Sequence, residues 1–333
     1  MLKNKKFKKL TIGIGLTSLS LVSMVGISTP FASAASKLPT SGKTITIGVA
    51  MSVFNDVWLN YLRTAMAQYA STNPNIKVVY ADANNDASTQ LQDVNNFITE
   101  QVNAIVVNPA DPQAMQPILS AAYAAHIPVI TVNRRFPGWN GKMVTSYVGS
   151  QSVQAGTLEM TQAAKLLHGK GNIAIMLGQL GQTAEANRLQ GIKNVLKKYP
   201  KIHVVLEGTA SWNRAPAMSL MENWLHSGKH INALVSENDE MAIGAILAIK
   251  AAGLQGKIIV TGTDGTPEGL GYIKTGQLAA TVYQSALGQG TDSIKLAYEA
   301  ALGKKVPKFD SIPYELVTKA NVNKYENIWA SLK

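Results

Sequence analysis

The sequence predicts an α/β protein with doubly wound, Rossmann-like parallel sheets, most naturally arranged as two lobes. Short runs rich in valine and isoleucine alternate with amphipathic stretches of helix length along most of the chain. This alternation favours mostly parallel sheets covered by helices on both faces. With 333 residues, the chain is long enough to bury a large core and to divide into two lobes.

The predicted strands are apolar throughout, as a sheet buried on both faces requires. They are 44–50, 77–81, 104–107, 129–132, 172–177, 203–207, 233–235, 258–261 and 279–283. The helices between them end with ordinary stop signals, such as Pro200 after Tyr199 and Gly253 after Ala252. They include 58–71, 89–101, 153–168, 186–199, 216–226, 240–252 and 287–302.

The N-terminus has the pattern of a secretory signal peptide. Five lysines within residues 3–9 precede an apolar run over 10–27, and small residues follow at 32–35. We expect residues 1–35 to be removed, with cleavage near Ala34 or Ala35. The alternative is a retained membrane anchor. The chain has no cysteine, so it offers no site for a lipid anchor. We therefore expect a soluble protein, secreted across the inner membrane into the periplasm or extracytoplasmic space.

The composition argues against a nucleic-acid partner. Five of the 31 basic residues and none of the 20 acidic residues precede the cleavage site, so the net charge would fall from +11 to +6. The remaining lysines are scattered, without the basic stripe that nucleic acid requires. Without cysteines, an exported fold depends on its hydrophobic core and not on disulfides.

Polar and aromatic residues follow strand after strand. The carboxyl ends of parallel strands form one rim, where ligands of doubly wound sheets bind. Asparagine and aspartate are also common helix caps, so each residue alone is a weak signal. Those on the first half of the chain are Asn55, Asp56, Trp58, Asn133 and Arg134, and those on the second half are Arg188, Trp212, Asn238 and Asp264.

These residue types suit the recognition of a sugar. Carboxylates and amides pair with hydroxyl groups, and arginine supplies a rigid fork of donors. Indole rings cover the C–H faces of a sugar ring. Trp58 and Trp212 lie in opposite halves of the chain, so we predict that a closed cleft holds one sugar ring between them.

The chain resembles the periplasmic monosaccharide-binding proteins of the ribose and galactose/glucose type, which are receptors of ABC sugar importers. The resemblance depends on Asn-Asp-x-Met-Ala-x-Gly-Ala at 238–245 and Asp-Gly-x-Pro at 264–267, with Ile-Pro-Val-Ile at 127–130. It implies that Asn55, Asp56, Trp58, Asn133 and Arg134 contact the sugar from the first lobe. It also implies contacts from the second lobe and hinge by Arg188, Trp212, Asn238, Asp264 and Gln284.

The resemblance also implies two lobes joined by a three-segment hinge, with crossings near 146–151, 284–288 and 311–313. The N-terminal lobe would comprise 36–148 and 285–312, and the C-terminal lobe 149–284 and 313–333. We expect a monosaccharide, pentose or hexose, to favour the hinge-closed state. A monomer would then deliver it to an importer permease.

The chain departs from both types near Arg188. The galactose/glucose type carries histidine and aspartate where this chain has Gln182 and Ala184, and the ribose type has a second arginine where it has Ala186. Gln182 or Glu185 would replace the missing contacts or only cap a helix. The calcium loop of the galactose/glucose type is missing too, so we expect no metal and no cofactor.

Other function classes fit less well. An enzyme would need a nucleophile with a base, but the chain has no G-x-S-x-G, and its five histidines lie outside the rim loops. A sugar-responsive repressor would begin with a helix-turn-helix domain. The remaining alternative is an extracytoplasmic sugar sensor that signals to a kinase or chemoreceptor, which the sequence does not distinguish from a transport receptor.

Overall fold

A computed structural model of the protein describes residues 42–332. The predicted signal peptide, 1–35, lies outside the described residues. Within them, the strands are β1 Ile45–Met51, β2 Ile76–Asp82, β3 Ala104–Val107, β4 Val129–Val132, β5 Ser146–Gly149, β6 Lys170–Leu177, β7 Lys201–Thr209, β8 Ala233–Ser236, β9 Ile259–Asp264, β10 Ala280–Tyr283, β11 Phe309–Ser311 and β12 Glu315–Val317. The α-helices are α1 Val57–Ser71, α2 Ala87–Thr99, α3 Met115–Ala124, α4 Ser152–Leu166, α5 Thr183–Leu196, α6 Arg214–His226, α7 Asp239–Ala251, α8 Pro267–Thr275, α9 Ala286–Ala301 and α10 Val322–Ala330.

The strands form two six-stranded sheets. Their orders are β11-β5-β4-β3-β1-β2 and β12-β10-β9-β8-β6-β7. Neighbouring strands are parallel, except that β10 pairs with β12 in antiparallel fashion. The prediction of two Rossmann-like α/β lobes is therefore confirmed. We call the halves that contain these sheets the first lobe and the second lobe.

The central strands are buried on both faces, which explains their uniform Val, Ile and Ala content. Every residue of β3, β4, β8 and β10 is buried. The edge strands β2 and β7 have partly exposed side chains. Burial of the central strands contributes to the hydrophobic stabilisation of each lobe.

The chain passes between the two sheets three times. It crosses between β5 and α4, between β10 and α9, and between β11 and β12. We call residues 150–151, 284–285 and 312–314 the three crossing segments. Because α9 packs on β1, β3, β4 and β5, the last part of the chain returns to the first lobe before β12 joins the second sheet.

Helices α4 and α5 pack unusually closely, and this packing positions Arg188. A Cβ atom at Gly156 would lie 1.9 Å from the carbonyl oxygen of Arg188, and one at Gly191 would lie 2.2 Å from that of Val153. Glycine in a helix interior costs roughly 1 kcal/mol relative to alanine. Here it allows the two backbones to touch and holds α5 against the second sheet.

The two lobes also contact each other outside the crossing segments. The ring of Tyr61 on α1 lies 4.7 Å from the ring of Trp329 on α10, measured between centroids. The hydroxyl of Thr183 donates to the carbonyl of Arg135 at 2.6 Å. The loops at the carboxyl ends of both sheets thus face each other across a narrow cleft. Among residues 42–332, none of the helices is both long and apolar enough to span a membrane.

Candidate ligand-binding site

A cavity lies between the lobes, where the strand-end loops meet. Both lobes and two crossing segments contribute to its wall. Its lining residues are Asp56, Trp58, Leu59, Asn133, Arg134, Ser152, Gln182, Ala184, Arg188, Trp212, Asn238, Asp264, Gln284 and Tyr314.

On the first lobe, Asp56 both caps a helix and faces the cavity. One carboxylate oxygen accepts the amide hydrogen of Leu59 at 2.8 Å, which closes the first turn of α1. Arg134 follows β4, and its guanidinium donates to the carbonyl of Pro109 at 3.0 Å. Asn133 precedes it with a φ of 67°, a left-handed conformation that asparagine tolerates better than most residues.

On the second lobe, Asn238 has the same double role. Its carbonyl oxygen caps α7 through the amide of Met241 at 2.9 Å, and its NH₂ group donates to the carbonyl of Trp212 at 3.1 Å. The indole NH of Trp212 donates to Gln182 at 3.0 Å. These bonds, together with the φ of 69° at Trp212, fix the indole at the cavity wall.

Arg188 is the most highly connected side chain of the site. It is only 4% exposed. Its guanidinium donates to the side-chain oxygen of Gln284 at 2.6 Å and to the carbonyl of Glu237, and it lies 3.5 Å from the carboxylate of Asp264. An arginine held on several sides presents its remaining donors in a fixed direction, which favours selective binding of hydroxyl groups.

The charges of the lining compensate one another. Two arginines, Arg134 and Arg188, face two aspartates, Asp56 and Asp264. Burial lowers the pKa of Arg134 to about 10, while Asp56 opposes that shift, so Arg134 stays cationic at neutral pH. Burial raises the pKa of Asp264, and the neighbouring Arg188 opposes the rise. This arrangement suits a ligand without net charge.

Buried acidic side chains stabilise the second-lobe side of the cavity. Asp239 accepts hydrogen bonds from the amide of Thr266 at 2.8 Å and from the hydroxyl of Thr281 at 2.6 Å. Burial raises its pKa to about 6. These bonds fix the loop that begins at Asp264, whose φ of 127° is strained for a residue other than glycine.

Nine of the ten principal predicted site residues line this cavity, and Asn55 does not. The backbone at Asp56 is extended, so consecutive side chains point in opposite directions. Asp56 faces the cavity, and Asn55 is exposed in an outer part of the cleft beside Asn85 and Gln179. The predicted contact between Asn55 and the ligand stays a prediction.

Of the two further candidates, only Gln182 lines the cavity. Glu185 is buried in the first turn of α5. Whether it replaces a missing ligand contact or only caps the helix stays open. The cavity residues that sequence reasoning missed are Leu59, Ser152, Ala184 and Tyr314.

Both predicted indoles lie at the cavity. The NH of Trp58 donates to the carbonyl of Gln284 at 3.2 Å, and Trp212 lies under the guanidinium of Arg188, 5.4 Å from the ring centroid. Stacking of a sugar ring between them stays a prediction. None of the five histidines lines the cavity, and the described residues contain no cluster of three or more acids, histidines or cysteines that could hold a metal ion.

The sequence model of the family described as periplasmic binding protein domain matches residues 47–305 of this chain. The chain belongs to the periplasmic binding protein family. The match spans most of the chain, from the first strand to the end of α9, and therefore includes all lining residues except Tyr314. The family resemblance noted in the sequence is thus confirmed.

Individual members of this family support the assignment. The chain is 37% identical to a xylitol-binding protein of Mycolicibacterium smegmatis, over 78% of this chain and 74% of the relative. It is 33% identical to the ribose import binding protein of Bacillus subtilis, over 83% and 88% of the two chains. An ABC transporter solute-binding protein of Bacillus halodurans, solved with bound myo-inositol, is 44% identical and superposes with a TM-score of 0.83, covering 87% of this chain and 99% of that one.

Proposed function

We propose that this protein captures one uncharged polyhydroxylated molecule, a monosaccharide or a related polyol, between its lobes and delivers it to an ABC importer. The observation that supports it most directly is the cavity wall, which combines two indoles with four amides, two aspartates and two arginines. Each amide and carboxylate can pair with one or two hydroxyl groups, and the indoles can cover C–H faces.

The balance of charges argues for a neutral ligand. A sugar phosphate would bring a net charge into a buried site whose own charges compensate one another, which is costly. A zwitterionic amino acid would have to compete for the ion pair that Arg188 and Asp264 already form. A neutral polyol satisfies the same groups through its hydroxyls. A site built around hydroxyl partners discriminates strongly against a ligand that lacks one of them.

The ligands of the relatives narrow the chemical class of the expected ligand further. Their names refer to xylitol and ribose, and the 44% identical structure contains myo-inositol. Since these ligands share several adjacent hydroxyl groups and no charge, we propose the same class here and place myo-inositol first among the compounds to test.

A thermal-shift screen of the purified protein tests the ligand class. The panel contains cyclitols, xylitol, pentoses, hexoses, amino acids and sugar phosphates at millimolar concentration. A ligand at a thousand times its dissociation constant stabilises by about 4 kcal/mol, so a specific polyol should raise the melting temperature clearly. A shift with amino acids or phosphates, and none with polyols, would refute the proposal.

The importer part of the proposal is tested separately. The liganded protein should stimulate ATP hydrolysis by its transporter in proteoliposomes, and the unliganded protein should stimulate it less. Ligand-dependent activation of a membrane kinase or chemoreceptor without stimulated ATP hydrolysis would instead favour a sensor.

A further inference from the structure

A chain of hydrogen bonds leads from the cavity to the first crossing segment. The amide NH₂ of Asn133, which lines the cavity, donates to the side-chain oxygen of Gln289 at 3.3 Å. The NH₂ group of Gln289 donates in turn to the hydroxyl of Ser150 at 3.2 Å. Gln289 thus connects a residue that faces the ligand space with the segment where the chain first leaves the first lobe.

A second chain of hydrogen bonds reaches the other two crossing segments. The hydroxyl of Tyr314, in the third segment, donates to the side-chain oxygen of Gln284, in the second, at 2.9 Å. The guanidinium of Arg188 donates to the same oxygen at 2.6 Å and lies 3.5 Å from the hydroxyl of Tyr314. Arg188, Gln284 and Tyr314 all line the cavity.

These connections are buried, so water competes little with them. Gln289 is 0% exposed, Gln284 3% and Tyr314 5%. A rotation of one lobe about the crossing segments would change the torsion angles of residues on both sides of these bonds. Breaking the bonds would leave buried donors and acceptors without partners, which is unfavourable. The hydrogen bonds therefore favour one hinge geometry over others.

We propose that Gln289 and Tyr314 are positioning residues that hold the hinge in the geometry that closes the cavity. A ligand that engages Asn133 and Arg188 orders both chains of hydrogen bonds and thereby stabilises the same hinge geometry. The effect of the ligand on the hinge rests on the proposed function. The effect of these hydrogen bonds on the unliganded hinge does not depend on it.

Distance measurements between the lobes test the proposal. The chain has no cysteine, so spin labels attach only at introduced positions. Asn95→Cys on α2 and Asn223→Cys on α6 place one label on an exposed position of each lobe. The interlobe distance distribution is then recorded by pulsed electron resonance, without ligand and with millimolar myo-inositol or D-ribose.

Two variants and one matched control are compared in this labelled background. Tyr314→Phe and Gln289→Leu remove the connections to the crossing segments. Tyr325→Phe is the control, because that buried hydroxyl donates to Glu315 at 3.0 Å and contacts no cavity residue. Urea unfolding midpoints show whether each variant remains folded.

We expect both variants, but not the control, to shift the unliganded distribution towards longer distances and to weaken probe binding about tenfold. If the unliganded distributions of both folded variants coincide with that of the control, the proposal is overturned. If neither myo-inositol nor D-ribose changes the interlobe distances of the parent protein, but the variants still show longer distances without ligand, the choice of ligand is wrong. The roles of Gln289 and Tyr314 in the hinge then stand.

Discussion

The indole of Trp212 lies directly against the backbone of Gly178. A Cβ atom at Gly178 would lie 2.0 Å from two atoms of that ring, so only glycine allows the indole to occupy its place at the cavity. The amide of Gly178 also donates to the carboxylate of Glu237 at 2.8 Å. The position of an aromatic wall of the site therefore depends on a residue that carries no side chain.

We expect Gly178→Ala to weaken ligand binding about tenfold or more, because the methyl group displaces Trp212 from the cavity wall. A tenfold change corresponds to about 1.4 kcal/mol. Titration calorimetry with the ligand found in the thermal-shift screen measures the effect. Gly271→Ala is the matched control, since its Cβ would meet no atom within 4 Å. Equal affinity of both variants would show that the position of Trp212 is unimportant.

Removing the indole of Trp212 should weaken ligand binding more than Gly178→Ala does. Trp212→Ala is expected to weaken binding by more than about 2 kcal/mol, the scale of a buried aromatic anchor. Trp139→Ala serves as the control because Trp139 packs against Tyr147 and Phe309 in the first lobe and does not line the cavity. Unchanged affinity of Trp212→Ala would exclude the stacking of a ring between Trp58 and Trp212.

Arg188→Lys should lower the affinity about a hundredfold. A single ammonium group cannot replace a guanidinium that contacts Gln284, Glu237 and Asp264 from one plane. Arg63→Lys, on the outer surface of α1, should leave binding unchanged. Competition with a fluorescent ligand measures both, and an Arg188→Lys variant with parental affinity would remove Arg188 from the proposed site.

The stability of the protein should decline between about pH 5 and pH 8, and Glu159 contributes to this decline. Glu159 is fully buried and accepts hydrogen bonds from the amide of Ser236 and the hydroxyl of Thr261. Burial raises its pKa from 4.5 to about 8, with these hydrogen bonds opposing the shift. Between these values the folded state retains a proton that the unfolded state has released. Glu159 therefore lowers the free energy of unfolding as the pH rises, by at most about 1.4 kcal/mol per pH unit.

Glu159→Gln should flatten this dependence, because the amide is neutral at every pH. The slope should decrease and not vanish, since burial also raises the pKa of Glu237 and Asp239. Urea unfolding at pH 5 to 9 provides the measurement. Glu326→Gln, which affects a partly exposed ion pair with Lys274, should retain the parental slope. Identical slopes for Glu159→Gln and the parent would contradict the assignment.

The elements that the sequence predicted well are those whose burial leaves a pattern. The strands 104–107 and 129–132 were predicted with the observed limits, because every residue in them is buried. Strands β11 and β12 have three residues each, which is too short for any periodicity to appear. Both were missed, and so were β5 and the helices α3, α8 and α10.

The sequence predicted those cavity residues that lie in loops directly after strands. Tyr314 was missed because it follows Pro313 in a segment without a strand or helix pattern. It reaches the cavity only because the chain crosses between the lobes there, which brings it beside residues 30 and 126 positions away. Such long-range proximity has no local signal in a single sequence.

Calorimetric titration of the purified protein with myo-inositol, D-ribose and xylitol tests the central claim most directly. We predict saturable binding of one such neutral polyol with one site per chain and a dissociation constant of about micromolar or below. The affinity should fall about a hundredfold in Arg188→Lys and stay unchanged in Arg63→Lys. Unchanged affinity in Arg188→Lys, or binding heats that appear only with amino acids or sugar phosphates, would contradict this prediction.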